Sequence, residues 1–195
     1  MTSIDYYNEN AKEFIRSTFQ ADMRELLEQF AAYLPPGARV LDVGCGSGRD
    51  CLWFQSQGFD VYAHDASDVL VDHCQEFLGE RVICATFEEY QTDLSFDGIW
   101  ACSSLLHVQR KDLPGILTKY AGFLKPGGAF FMSFKRREED HKKDGRHFTN
   151  MTEDGLAKLI SDIPGLILEK IIITSDVRKG REEEGWVSAI AKRTK

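Results

Sequence analysis

The 195-residue chain has no excess of basic side chains, no long apolar run and no paired cysteines. Its 24 lysines and arginines are outnumbered by 31 aspartates and glutamates, giving a formal net charge of −7. Binding nucleic acid as a main role needs a basic face to neutralise phosphates, so the balance argues against that class. No apolar stretch approaches the length of a membrane span. The opening Met1-Thr-Ser-Ile-Asp5 also lacks the charged-then-apolar layout of a secretory leader, so a cytoplasmic protein with neither membrane nor nucleic-acid partners is expected. The five cysteines, Cys45, Cys51, Cys74, Cys84 and Cys102, form no C-x-x-C pair. That spacing speaks for reduced thiols and against zinc, and no metal is expected. Internal repeats and low-complexity segments are missing too.

What the chain does have is alternation. Ile15, Phe19, Met23, Leu26, Leu27, Phe30 and Leu34 recur every three or four residues, which predicts one or two helices ended by Pro35-Pro-Gly37. Beyond them, short apolar runs alternate with helical patterns, the signature of a mostly parallel sheet with helices on both faces. Strands are expected over residues 39–43, 60–64, 82–86, 98–102, 129–134, 166–174 and 186–191, and helices over 50–57, 68–78, 112–124 and 153–160. The final two strands have no helix between them and should pair antiparallel. Thr152 is a natural N-cap, followed by Glu153 and Asp154. The size suits one domain, with a helical cap over residues 1–35 and a core over 36–195. Residues 135–146, highly charged and without apolar anchors, read as an active-site lid or a solvated loop.

The segment Val40-Leu-Asp-Val-Gly-Cys-Gly-Ser-Gly-Arg-Asp50 carries the chemistry. A buried strand ends in a loop stripped of side chains and opens a helix, so a ligand can lie on backbone and an anionic part can meet free N–H groups. Gly44, Gly46 and Gly48 make G-x-G-x-G, and Arg49 stands where the third glycine of a dinucleotide fingerprint would be. Asp65 closes the second strand, where a carboxylate accepts both ribose hydroxyls. A cation at a helix N-terminus opposes the dipole by roughly 0.3–1 kcal/mol. Either a bound carboxylate or the adjacent Asp50 therefore offsets Arg49.

Leu41-Asp-Val-Gly-Cys-Gly-Ser-Gly48, Asp65-Ala-Ser67, the run from Phe96 to Val108 and Leu124-Lys-Pro-Gly-Gly128 together resemble class I S-adenosylmethionine-dependent methyltransferases. The N-terminal Tyr6-Tyr-Asn-Glu-Asn-Ala11, the stretch Gly58-Phe-Asp-Val61 and the tail Asp176-Val-Arg-Lys-Gly-Arg181 are similar to the small bacterial tellurite-resistance-type enzymes. The resemblance implies a Rossmann-like, doubly wound α/β fold. Its seven-stranded sheet would be mostly parallel with an antiparallel C-terminal strand, and N-terminal helices would cover the cofactor. It implies S-adenosylmethionine as cofactor and S-adenosylhomocysteine as product. Asp42 would order the glycine loop and face the methionine amino group. Gly44, Cys45 and Gly46 would floor the cofactor, Asp65 would hold the ribose, and Ala66, Thr86 and Phe87 would surround the adenine. Glu88 is a substitute for the aspartate that many relatives carry in place of Thr86. Ala101, Cys102 and Ser103 would meet the methionine portion, and Tyr7 would contact cofactor or acceptor.

His107 stands close to the expected reaction centre, either as a base for the acceptor or as a hydrogen-bonded packing residue. Arg146, Phe148, Arg178, Arg181 and Trp186 are the candidate acceptor residues, since arginine forks suit anions and aromatics give flat apolar walls. The alternative is surface pairing of these arginines with Glu182-Glu-Glu184. The acceptor is thus expected to be a small molecule, an oxyanion of the tellurite type or a small carboxylate, handled by a monomer or homodimer. A module that senses the cofactor without transferring methyl groups would share every cofactor residue. Cys102-Ser-Ser-Leu105 lacks the Asn/Asp-Pro-Pro-Tyr signature of many nucleic-acid amino methyltransferases.

Overall fold

The structure, a computed structural model, describes residues 2–178, 180, 181 and 183–194. At its centre is β1 (Arg39–Val43), whose last four residues are buried. It pairs in parallel with β2 (Asp60–Asp65) on one side and β4 (Phe96–Ala101) on the other. Outward from these lie β3 (Val82–Cys84) and β5 (Leu124–Lys135), also parallel. The antiparallel exception is β9 (Gly185–Arg193), inserted between β5 and β8 (Leu166–Ser175). The order is β3-β2-β1-β4-β5-β9-β8. Successive strands run outward in opposite directions from β1 and β4, and such a switch point opens a crevice beyond the strands' carboxyl ends.

Strand alternation divides the apolar side chains between two faces. Leu41, Phe130 and Met132 pack with Leu117 and Tyr120 of α5 (Leu113–Phe123) and with Leu156 and Ile160 of α6 (Glu153–Ser161). On the other face Val40, Trp100 and Phe131 meet Phe30 of α2 (Arg24–Ala31) and Phe54 of α3 (Arg49–Ser56). Trp100 stacks on Phe131 at 3.9 Å, and Phe30 closes over both. α1 (Ser3–Thr18) lies over the crevice, and α2 sinks Phe30 into the core while Glu25 and Leu26 in its first turn reach the crevice wall.

Local signals place the helix starts. Thr2 forms a capping box with Asp5, Ser67 caps α4 (Asp68–Leu78) by accepting from the Leu70 N–H, and Thr152 caps α6 through the Gly155 N–H. The charged segment is an ordered hairpin rather than a loop. β6 (His141–Lys143) and β7 (Arg146–Phe148) are joined by Asp144 and Gly145, with φ of 51° and 76°. His141 stacks on Phe148 at 4.8 Å, Asp140 pairs with Arg110 at 2.6 Å, and the Thr149 N–H donates to the Leu106 carbonyl at 2.7 Å. Among the described residues, no helix is long and apolar enough to cross a membrane.

Candidate active site

The crevice at the switch point is a cavity of about 710 Å³, a size suited to small-molecule ligands. Its floor is the glycine loop. The N–H groups of Gly44 and Cys45 both donate to the His64 carbonyl, which seats the loop on the end of β2. Gly44 has φ of 73°, and a Cβ there would fall 2.5 Å from the Ser104 Cβ. Gly46 has φ of 56°, and a Cβ there would come within 3.0 Å of Phe14 on α1. The loop is therefore a cradle that side chains would fill.

Asp65 closes β2 and fastens the loop. One carboxylate oxygen accepts from the Gly46 N–H and the other from the Ser67 N–H, both at 2.9 Å. Each keeps a lone pair for a further donor. Burial pushes the carboxyl above its ordinary pKa, opposed by the backbone N–H bonds. Asp42, behind the loop, is also pushed up, by burial and by the nearby Asp50, and it accepts from the Cys51 thiol at 3.1 Å. Arg49 lines the cavity, but its fork is engaged by Asp50 at 2.6 and 2.9 Å, and Asp50 also accepts from the Trp100 indole. The neighbouring carboxylate thus offsets the Arg49 charge, and Arg49 Nη1 also donates to the Thr18 carbonyl at 3.4 Å.

Three predicted cofactor residues do not reach the cavity wall. The Thr86 hydroxyl is taken by Glu89, donating to its carboxylate at 3.0 Å and accepting from its N–H at 3.2 Å. Glu88 is exposed, and its carbonyl accepts from Lys119 at 2.6 Å. Ala101 is wholly buried in the core, so the wall begins at Cys102. Ala66, Phe87 and Ser103 do line it. Ser103 has φ of 57°, unusual for a side-chain-bearing residue, and its N–H donates to the Ser133 hydroxyl at 2.7 Å. Sequence reasoning missed Ser104, whose buried hydroxyl has no partner among the described residues, and Lys135 at the end of β5. A serine after a strand gives no such signal, since its role depends on packing against Gly44 in space.

The roof comes from α1. Tyr7 Oη lies 2.9 Å from His107 Nε2, Asn8 Oδ1 accepts from the Ser67 hydroxyl at 2.5 Å, and Thr18 donates to the Ser47 hydroxyl at 3.1 Å. Phe14 of α1 also lines the cavity. At the far end Arg146, Phe148, Arg178, Arg181 and Trp186 share this same wall. The Arg146 guanidinium lies over the Tyr6 ring at 3.6 Å, reaches Asp144 at 3.2 Å and has a buried Nε without a partner among the described residues. Asp176 holds Arg178 at 2.5 Å and accepts from the Trp186 indole at 3.2 Å. Of the glutamate run expected as the alternative partner of these arginines, Glu184 is bound to Lys135, and Glu182 lies outside the described residues.

Residues 14–161 match the family profile described as a methyltransferase domain. A phosphoethanolamine N-methyltransferase of Triticum aestivum is 32% identical over 108 residues, 51% of this chain and 21% of that protein. A ubiquinone biosynthesis O-methyltransferase of Xanthomonas axonopodis pv. citri (strain 306) is 35% identical over 119 residues, 57% of this chain and 49% of that protein. The chain thus spans between a fifth and a half of these curated relatives. Among solved structures, the Burkholderia thailandensis 1,6-didemethyltoxoflavin-N1-methyltransferase, with bound 1,6-didemethyltoxoflavin and S-adenosylhomocysteine, has the same fold. Its TM-score is 0.78 at 23% identity, covering 98% of this chain and 85% of that one.

Proposed function

The chain belongs to the methyltransferase-domain family, and on that premise we propose that it transfers a methyl group from S-adenosylmethionine to a small anionic acceptor. The observation that carries this reading is a single cavity with two chemically different ends. One end is the glycine cradle with the Asp65 carboxylate, whose spare lone pairs suit ribose hydroxyls. Gly44, Cys45 and Gly46 would lie under the cofactor, Ala66 and Phe87 beside its base, and Cys102 and Ser103 beside its methionine arm. When bound, the cofactor supplies a methyl group already activated by a sulfonium. The chain's task is then alignment and exclusion of water.

The other end bears Lys135, Lys143, Arg146, Arg178 and Arg181, with Asp144, Asp176 and Glu184, the last bound to Lys135, as the facing carboxylates. Cations outnumber anions there, and Phe148 and Trp186 give apolar walls. An oxyanion of the tellurite type or a small carboxylate fits this chemistry. Neighbouring aspartates fix the forks of Arg146 and Arg178 without using every donor.

Turnover of methyl-labelled S-adenosylmethionine tests the reading. Arg146→Ala should raise the acceptor KM about 10- to 100-fold, the loss of a charge-assisted hydrogen bond. The more exposed Arg181→Ala should raise it less, with S-adenosylhomocysteine affinity unchanged in both. Unchanged KM values, or loss of cofactor binding instead, would contradict the assignment. Absence of any transfer would leave a cofactor-sensing module.

A further inference from the structure

The two ends of the cavity meet beneath α1, where Tyr7 and His107 stand side by side. His107 Nδ1 lies 2.8 Å from the His147 carbonyl oxygen, an atom that can only accept. Nδ1 therefore carries the ring hydrogen, and Nε2 is bare in the neutral ring. The Tyr7 hydroxyl, 2.9 Å away, donates to it. The contact has a direction. The phenolic proton is committed to the imidazole, and the phenolic oxygen, which also accepts from the Arg146 guanidinium, keeps one lone pair for a proton from the acceptor.

The surroundings keep His107 neutral. Burial lowers its pKa to about 4 against the raising effect of the His147 carbonyl, and Arg146 and His147 from β7 and Lys135 from β5 add to the lowering. Tyr7, from α1, is held above its ordinary pKa by burial, opposed by Arg146. Tyr7 is thus a phenol at rest, and any proton it receives must pass onward.

We propose that Tyr7 and His107 form a relay that takes a proton from the acceptor, so the attacking atom is one that carries hydrogen: a hydroxyl or ring N–H on a small anion. The proposal rests on the function above and narrows it. The acceptor atom bonds to the methyl carbon, and the carbon–sulfur bond breaks with its electron pair going to sulfur. The acceptor's proton passes to Tyr7 Oη as the Tyr7 proton passes to His107 Nε2. The Nδ1–H bond to the His147 carbonyl then steadies the imidazolium, and the proton leaves to water as product departs. An acceptor offering only a lone pair, such as a thioether sulfur, a pyridine nitrogen or the tellurium of tellurite, loses no proton from the atom that attacks.

The test uses labelled S-adenosylmethionine with 4-hydroxybenzoate and imidazole-4-acetate, which carry a removable proton, and with methylthioacetate and pyridine-3-carboxylate, which do not. Label is expected on a proton-bearing carboxylate. Tyr7→Phe keeps the ring's edge contacts with Tyr6 and Phe14 and removes only the hydroxyl. That variant and His107→Gln should each lower kcat about 10²- to 10⁴-fold, the range for general acid–base groups. Acceptor KM and S-adenosylhomocysteine affinity should stay within about threefold of the unmodified protein. The acid limb of kcat at saturating cofactor and acceptor, where Asp65 is engaged and the acceptor is bound as its anion, should have its midpoint near pH 4, from His107, and vanish in His107→Gln. Label on the lone-pair acceptors with both variants at full kcat, losses confined to KM, or an acid limb that survives His107→Gln would each overturn the relay. Methyl transfer to an anion would then still stand. Label on none of the four carboxylates, with S-adenosylhomocysteine still bound, would overturn the anionic-acceptor reading and the relay together.

Discussion

Gly44 shows how little latitude the cavity floor has. Its φ of 73° is a conformation L side chains avoid, and its missing Cβ leaves room for Ser104. Gly44→Ala should cost about 1–3 kcal/mol of stability from backbone strain alone, before the Ser104 clash is counted. A lowered thermal midpoint checks this, and an unchanged midpoint would mean the loop relaxes freely. Such residues were legible because backbone chemistry demands glycine and a carboxylate at fixed positions. Thr86 was not, because a local bond to Glu89 three residues on captures its hydroxyl. Arg49 was ambiguous for a similar reason: Asp50, beside it in the chain, satisfies the same charge that a ligand would.

At the scale of elements, helical periodicity identified α2 but not the surface it covers. An apolar stripe serves equally to roof a ligand or to pack on a sheet. Phe30, fully buried against Trp100, Phe54 and Phe131, settles the matter. Phe30→Ala should destabilise the fold by about 3–5 kcal/mol, a cavity in the core. Denaturant unfolding measures that loss, and cofactor affinity of the folded protein should be kept. A small stability change with a large affinity change would instead make α2 part of the cofactor's roof. The β6–β7 hairpin carried a local signal in Asp144-Gly145. The charges around it masked that signal, because its anchors, Arg110, Leu106 and Phe148, lie outside the charged run.

For the whole molecule, alternating strands and helices were enough to announce a doubly wound sheet. They did not give the insertion of β9 between β5 and β8, which sets Trp186 opposite Lys135. That placement brings the chain's last third to the same cavity as its first sixty-five residues, so the proposed acceptor end depends on long-range topology. The central claim is that an adenosyl cofactor lies on the glycine floor with its ribose on Asp65. Calorimetry with S-adenosylhomocysteine tests it most directly. One-to-one binding is predicted for the unmodified protein, weakened about 10- to 100-fold in a folded Asp65→Ala variant by the loss of hydrogen bonds to a charged group. No heat of binding in the unmodified protein, or equal affinity in both, would contradict it.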